Sequence, residues 1–454
     1  MKKDLTKGGV TKTMLVFVAP MIFGNLLQQF YNIADSLIVG RFLGADALAA
    51  VGSAYTLMTF LTSVLIGLCM GSGSLFSFYF GKKDEEGLHK SVSASFMFIL
   101  AAAVVINIAV FLGTDVILRL LQVPDSVYGM MREYVQVIFT GILFVFLYNY
   151  FAYLLRALGN SVTPLWFLGA AAVMNVILDL LFVVVFSRGI RGAAEATVIA
   201  QAFSGIGIGV YTLAKEPGIR ACLGARLFPG GKSRGAVSEV VRFSMAACIQ
   251  QSVMNFGILM IQGLVNTFGT AVMAAFAAAV KIDTFAYMPA QEFANAYSIF
   301  ISQNYGAKER ERMKRGTRSA LLVSVLFCLA VSVFVYLKAA DLMRAFVDAK
   351  ETKIIAVGVE YLRIEGSFYW GIGILFLLYG YFRGSGKPEM SIVLTVISLG
   401  TRVALAYALS PVEGIGVYGI WWAIPIGWIL ADLVGGIAYR IQDNDYEKEN
   451  QYIT

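Results

Sequence analysis

Several charged side chains sit inside stretches of this sequence that are otherwise apolar, among them Asp35, Asp179, Lys281, Asp283, Glu292 and Arg402. A charged group at the centre of a bilayer costs about 2.5–3.5 kcal/mol on insertion scales. Such residues therefore face a protein interior and mark ion or substrate pathways. Asn175 precedes Asp179 by four positions, which puts both on one helical face. Asn149 and Thr197 bring a further amide and a hydroxyl to nearby apolar stretches. Two carboxylates, two amides and one hydroxyl form an all-oxygen, low-charge set suited to a hard monovalent cation or a shared proton. The alternative is plain: Asp35 and Asp179 hydrogen-bond neighbouring helices or cap a helix end, and Thr197 bonds back to its own helix.

A second set lies further along the chain. At 1.5 Å per residue, Asp283 and Arg402 each come out about 18 Å into their helices, entering from opposite faces and meeting near the midplane. A buried structural ion pair is the simpler reading, and a substrate-linked or proton-linked role for Asp283 is the other. Lys281 adds a second cation, and Glu292 falls nearer the inner boundary.

The elements that must position these residues follow from composition. Of 454 residues, 58% are hydrophobic and only 14% charged, against about 25% charged in soluble globular chains. Apolar stretches fall roughly at 14–39, 51–80, 91–113, 127–155, 164–186, 193–214, 240–265, 271–304, 317–338, 353–382, 390–410 and 416–438, each near the 20 or so residues needed to cross a bilayer. Twelve spans place both termini on one side. With that side cytoplasmic, 24 of the 36 Lys and Arg fall in cytoplasmic segments and 10 in outside loops, Lys281 and Arg402 lying within spans. The positive-inside rule prefers this orientation. The first span has a basic lead but is too long for a signal-peptide core and lacks a convincing cleavage site, so it stays as a span. Pro20 within it is a kink or hinge point.

An internal repeat divides the chain. Gly44 and Gly81 match Gly269 and Gly306 at an offset of 225, and Asp115 matches Asp341 at 226. Tyr134, Arg156, Gly159 and Gly192 match Tyr361, Arg383, Gly386 and Gly419 at 227. Seven landmarks within two residues of one offset define two six-span halves. The fold class expected is an all-α membrane protein, with twelve transmembrane helices in two parallel six-helix lobes related by a pseudo-twofold axis along the membrane normal. The boundaries expected are an N-terminal lobe at 1–214, a cytoplasmic interlobe loop at 215–239, a C-terminal lobe at 240–438 and a cytoplasmic tail at 439–454.

Several chemistries drop out. The four cysteines are dispersed and the one histidine, His89, lies in the charged run Lys82 to Lys90, so neither a zinc site nor a histidine proton relay is expected. PGGKS at Pro229 to Ser233 fails the phosphate-loop spacing because its first glycine would fall at Arg226. The small-residue runs Met70 to Ser74 and Gly205 to Val210 read as close helix packing. The basic balance of +7 reflects topology rather than nucleic-acid binding. A transporter, a channel and a membrane-embedded enzyme remain; a channel lacks any filter-like ring, and an enzyme would have only paired acids to use.

QQFYNIADSLIVGRFLGADALAAVG (Gln28 to Gly52) resembles the opening signature of the multidrug and toxic compound extrusion (MATE) family. The likeness continues in YLLRALGNSVTP (Tyr153 to Pro164), MNVILDLLFV (Met174 to Val183), GAAEATVIAQ (Gly192 to Gln201), FISQNYGAKERERMKRGTRSA (Phe300 to Ala320) and RGSGKPEM (Arg383 to Met390). It covers about residues 10 to 440. The resemblance implies twelve helices in two lobes and export of organic cations and amphiphilic drugs in exchange for H⁺ or Na⁺. Asp35, Asn149, Asn175, Asp179 and Thr197 fall on positions that the DinF-like branch uses for coupling, and these are also the residues that would hold Na⁺. Where other branches carry an acid on the seventh span, this chain has Gln250 and Gln251, so coupling is expected in the N-terminal lobe alone. The expectation is a monomeric, non-enzymatic antiporter of the inner (plasma) membrane. Its partners are lipid and small cationic or amphiphilic substrates; it needs no cofactor beyond the coupling ion and no nucleic acid. A flippase of lipid-linked saccharide precursors is the alternative, and an intramembrane hydrolase built on Asp35 and Asp179 a more distant one.

Overall fold

The computed structural model of the protein describes residues 3–120, 123–225 and 234–451. The Pro229 to Ser233 stretch, part of the expected interlobe loop and the end of the expected tail fall outside these. Fifteen α-helices carry the described chain. They are α1 (Val10–Leu43), α2 (Ala45–Lys82), α3 (Glu85–Leu120), α4 (Asp125–Ile138), α5 (Ile142–Ala157), α6 (Val162–Asp179), α7 (Gly189–Lys215) and α8 (Pro217–Ala225). After these come α9 (Arg234–Asn266), α10 (Thr270–Gly306), α11 (Arg310–Arg344), α12 (Thr352–Gly366), α13 (Tyr369–Gly384), α14 (Pro388–Leu409) and α15 (Val417–Gln451). Among the described residues, eleven stretches are long and apolar enough to cross a membrane. The expected tenth span is present but broken into α12 and α13, at 15 and 16 residues. The protein is a twelve-span, all-α membrane protein. Leu112, Trp166 and Leu337 are 84%, 74% and 72% exposed, which suits a surface solvated by lipid rather than water.

The repeat is written into the backbone. Gly44 and Gly269 precede α2 and α10 at φ 90° and 92°, and Gly159 and Gly386 turn the chain into α6 and α14 at φ 83° and 84°. An L side chain is disfavoured there, so the glycines are held at matching positions by the same turns. The defects match as well. A 3₁₀ turn at Phe139–Gly141 separates α4 from α5, and the offset of 227 carries it onto residues 366–368, where α12 ends and α13 begins.

The chain forms two compact units. One is built around Leu15–Cys248, and the other around Ile249–Tyr305 and the chain from Glu309 onward. In the first, Phe96, Phe146, Tyr150 and Phe151 form an aromatic core with ring centroids 5.2–6.3 Å apart, anchored where the Tyr150 hydroxyl donates to the Val92 carbonyl at 2.6 Å. In lipid, helix association depends on close packing rather than on hydrophobic exclusion, and the small-residue runs supply it. A Cβ on Gly205 would lie 2.5 Å from the Phe144 carbonyl oxygen, and one on Gly71 2.2 Å from that of Phe243. In the second unit, Trp421 of α15 stacks on Phe276 of α10 at 5.6 Å, and both meet Tyr361 of α12 edge-on. Prolines interrupt the backbone bonding of α1 (Pro20), α10 (Pro289) and α15 (Pro425).

Candidate functional site

Asp179 is the last residue of α6 and is completely buried. Beyond it the chain loosens into a π-helical turn, Leu180–Val185, in which the Phe186 N–H reaches five residues back to the Leu181 carbonyl at 2.9 Å. Such turns are rare and occur mostly at functional sites. Asp35, half-buried on α1, lies within hydrogen-bonding reach of it. Neither oxygen of Asp179 has a donor, nor does Oδ1 of Asp35. Ionised carboxylates are acceptors only, so two of them this close need a donor or a positive charge between them, and a proton or a cation supplies the charge.

The other three candidates form an adjoining group. Asn175, one turn before Asp179 and buried, donates to the Thr197 hydroxyl at 3.3 Å. Both line a cavity of about 130 Å³ together with Gln28, Tyr31, Tyr148 and Asn149. Asn149 spends its amide N–H on the Val145 carbonyl at 2.9 Å. The five candidates are therefore gathered in one unit, arranged as a carboxylate pair beside an amide-lined cavity rather than as a single shell. Sequence reasoning missed Tyr31 and Tyr134, which lie within electrostatic reach of both carboxylates. Tyr31 was marked by its place one turn before Asp35, and Tyr134 by being a repeat landmark. Among the described residues, no three His, Cys, Asp or Glu come together as a metal site would require.

The second unit holds a different cluster. Asp283 of α10 is 2% exposed and accepts a hydrogen bond from the Tyr369 hydroxyl of α13. Arg402 of α14 acts electrostatically on it, as expected, but through space: no direct ion pair forms, and its Nε has no partner. The residue that meets Asp283 is Glu365 of α12, 3% exposed, with Tyr361 beside both. Lys281, two positions earlier, is exposed on another face. Glu292 belongs to a separate network, where it accepts from Asn295, whose oxygen in turn accepts from Arg383 at 3.1 Å. Glu365 went unseen because Glu360 and Arg363 precede it and make the start of its span read as a polar end. Asp432 of α15, with both oxygens unpartnered, was also missed.

A protein-family model, MatE, matches residues 20–181 and 244–408. The chain is 30% identical over 399 residues to a probable multidrug resistance protein, YpnP, of Bacillus subtilis (strain 168), covering 87% of each. It is 24% identical over 433 residues to a probable multidrug resistance protein, NorM, of Thermotoga maritima, covering 94% of this chain and 90% of that one. Among solved structures it superposes on a MOP superfamily transporter from Pyrococcus furiosus with a TM-score of 0.90 at 24% identity, covering 97% of both chains. A multidrug resistance MATE family transporter in an outward-facing conformation gives 0.89 at 24% identity, again over 97% of both.

Proposed function

Because the chain belongs to the MatE family of membrane transporters, we propose that it is a secondary active multidrug efflux antiporter of the DinF-like kind. It exports organic cations or amphiphilic drugs in exchange for H⁺ or Na⁺. The observation that carries this reading is the carboxylate pair Asp35–Asp179, whose facing oxygens have no donor. Two like charges in contact titrate as a unit rather than one by one. Entry of one cation or proton from outside halves the pair's negative charge, bridges the two carboxylates and draws α1 and α6 together at that point. Its loss to the cytoplasm restores the repulsion. Both helices carry a break in their backbone bonding: the π-helical turn begins at the residue after Asp179, and Pro20 interrupts α1 about four turns before Asp35.

The driving force is sufficient. For a neutral amphiphilic cargo, one charge moved inward through 100 mV yields about 2.3 kcal/mol, roughly a fortyfold concentration ratio at 1.4 kcal/mol per decade; for a cationic cargo the same amount offsets the charge carried out. In this reading Asn175 and Thr197 line the approach to the pair, and the amides and aromatic rings of the adjoining cavity suit a neutral path better than the basic lining a lipid-linked saccharide would need. The names of the relatives, multidrug resistance proteins, also favour efflux over lipid flipping. The transporter sits in the plasma membrane as a monomer with both termini cytoplasmic, the side to which the Lys and Arg bias points.

The test is ethidium efflux from proteoliposomes under separately imposed proton and sodium gradients, comparing wild type with Asp35→Asn and Asp179→Asn. Gradient-driven transport at wild-type rates in both variants would refute the assignment.

A further inference from the structure

The second unit has its own pair of buried carboxylates, and its charges do not balance. Asp283 and Glu365 bring two negative charges, while among the described residues the one cation that acts on them is Arg402. Lys281 on α10 is exposed and turned elsewhere. Of the other charges on α12, Glu360 faces Tyr418 of α15 and Arg363 lies over the Tyr336 ring of α11. From α15, Asp432 lies against Gly371. The remaining neighbours, Tyr287, Tyr361 and Tyr369, are neutral donors. One negative charge is left over on side chains 2% and 3% exposed, and an uncompensated buried charge is strongly destabilising.

The unsatisfied atoms say what compensates it. Oδ2 of Asp283 and Oε2 of Glu365 have no donor, on side chains 2% and 3% exposed, and the two groups lie within hydrogen-bonding reach of each other. A single added proton converts one carboxylate into an acid whose O–H donates to the other. It cancels the excess charge and supplies the missing donor at once, in a charge-assisted hydrogen bond of the strong kind. The alternative of a bare pair leaves two acceptors facing each other with nothing between them.

We propose that Asp283 and Glu365 form a buried proton-binding site in the C-terminal lobe, holding one proton between them opposite Arg402. The site also has a mechanical position. Glu365 and Tyr369 stand on either side of the break between α12 and α13, and Tyr369 donates to Asp283 on α10. Loading the proton ties both halves of the broken span to α10; releasing it returns an unbalanced charge to the break. This inference does not rest on the coupling role given to Asp35 and Asp179.

The experiment is pH-difference infrared spectroscopy on the purified full chain in lipid nanodiscs, reading the C=O stretch of protonated carboxylic acids. The background carries Asp35→Asn, Asp179→Asn and Asp432→Asn, which removes the other buried aspartates of the described spans that have an oxygen without a donor. One protonated carboxyl is expected near neutral pH. It should vanish in Glu365→Gln and equally in Asp283→Asn, because the surviving carboxylate then balances Arg402 and stays ionised. In Arg402→Gln the band should double, since two uncompensated carboxylates take two protons. If the background variant is not monodisperse, the same loss is read as the difference between wild type and Glu365→Gln. The proposal is overturned if no protonated carboxyl is present, or if the band survives both Glu365→Gln and Asp283→Asn.

Discussion

The two lobes solve the placement of buried acid differently, although they share a repeat. Tyr134 and Tyr361 are equivalent by the offset of 227, and each lies within electrostatic reach of a carboxylate pair in its own unit. In the N-terminal lobe the pair comes from α1 and α6, has no cation acting on it among the described residues, and adjoins a cavity of about 130 Å³. In the C-terminal lobe it comes from α10 and α12, is set opposite Arg402, and is closed over by Phe276, Trp421 and tyrosines. The shared backbone leaves a polar niche under the same tyrosine in each half. The side chains decide whether that niche communicates with a cavity or is sealed inside the lobe.

The sharpest way to break this contrast is to neutralise each pair in turn. Asp35→Asn and Asp179→Asn should each remove the contribution of one transported charge, about 2.3 kcal/mol at 100 mV or roughly fortyfold in the drug ratio sustained across a vesicle. Asp283→Asn and Glu365→Gln should leave that ratio within about twofold, because a sealed site moves no charge across the membrane. Steady-state ethidium gradients in proteoliposomes measure both. Equal losses from the two pairs would abolish the distinction between an open niche and a closed one.

The repeat itself can be tested at its glycines. Gly159 and Gly386 hold the same backbone, φ 83° and 84°, yet a Cβ on Gly159 would meet the Lys3 carbonyl oxygen at 2.0 Å, while one on Gly386 finds only the Tyr305 ring at 3.3 Å. An Ala in left-handed backbone costs about 1–2 kcal/mol, so Gly386→Ala should show about that much. Gly159→Ala should show more and also release the N-terminal segment, whose Lys3 N–H donates to the Gly159 carbonyl at 2.9 Å. Thermal unfolding in detergent, together with proteolysis of the N-terminus, separates the two losses.

At the open niche, Thr197→Val keeps the shape and removes the hydroxyl that Asn175 donates to. One neutral hydrogen bond is worth about 1 kcal/mol, which is about fivefold in the ion concentration needed for half-maximal transport at 1.4 kcal/mol per decade. An unchanged concentration dependence would place Asn175 and Thr197 outside the ion's path.

Much of this was legible in the sequence. Twelve spans and their division followed from charge depletion and from seven landmarks at one offset. Asp35, Asn175 and Asp179 stood out because an acid or amide in an apolar run is conspicuous, and Thr197 because its hydroxyl falls near the same depth. What periodicity provides, however, is a helix face and a depth, not which faces meet. Asp35 and Asp179 therefore came out as neighbours in depth, while their contact, and the π-helical turn that follows Asp179, came from the fold. Glu365 was hidden for a physical reason. The tenth span is broken at Ser367 and Phe368, so its first half is short, carries Glu360 and Arg363 just before Glu365, and is less apolar than an unbroken span. The same break is what brings Glu365 and Tyr369 to Asp283. Hydropathy averages over a window about as long as a span, so it smooths over the irregularity that creates the site.

The smallest expected difference lies at the repeat-related starts of α3 and α11. Asp84 caps α3: its Oδ1 accepts from the Gly87 N–H at 2.8 Å, and its Oδ2 accepts from Lys82 Nζ at 3.1 Å. Its counterpart at the offset of 225, Glu309, precedes α11 with no side-chain cap. The longer glutamate side chain is a poorer match for the short reach that a cap requires. Asp84→Ala should therefore cost about 1 kcal/mol, and Glu309→Ala a few tenths at most. The Gly87 N–H and Lys82 hold the Asp84 carboxyl below the usual carboxylate range, so its contribution is complete above the unfolded-state pKa and fades as pH falls through the lowered one. Unfolding midpoints of Asp84→Ala and wild type should thus converge on acidification, whereas those of Glu309→Ala and wild type should stay together at every pH. A gap for Asp84→Ala that persists in acid would mean that the residue acts through packing, and that the two helix starts differ in shape rather than in charge.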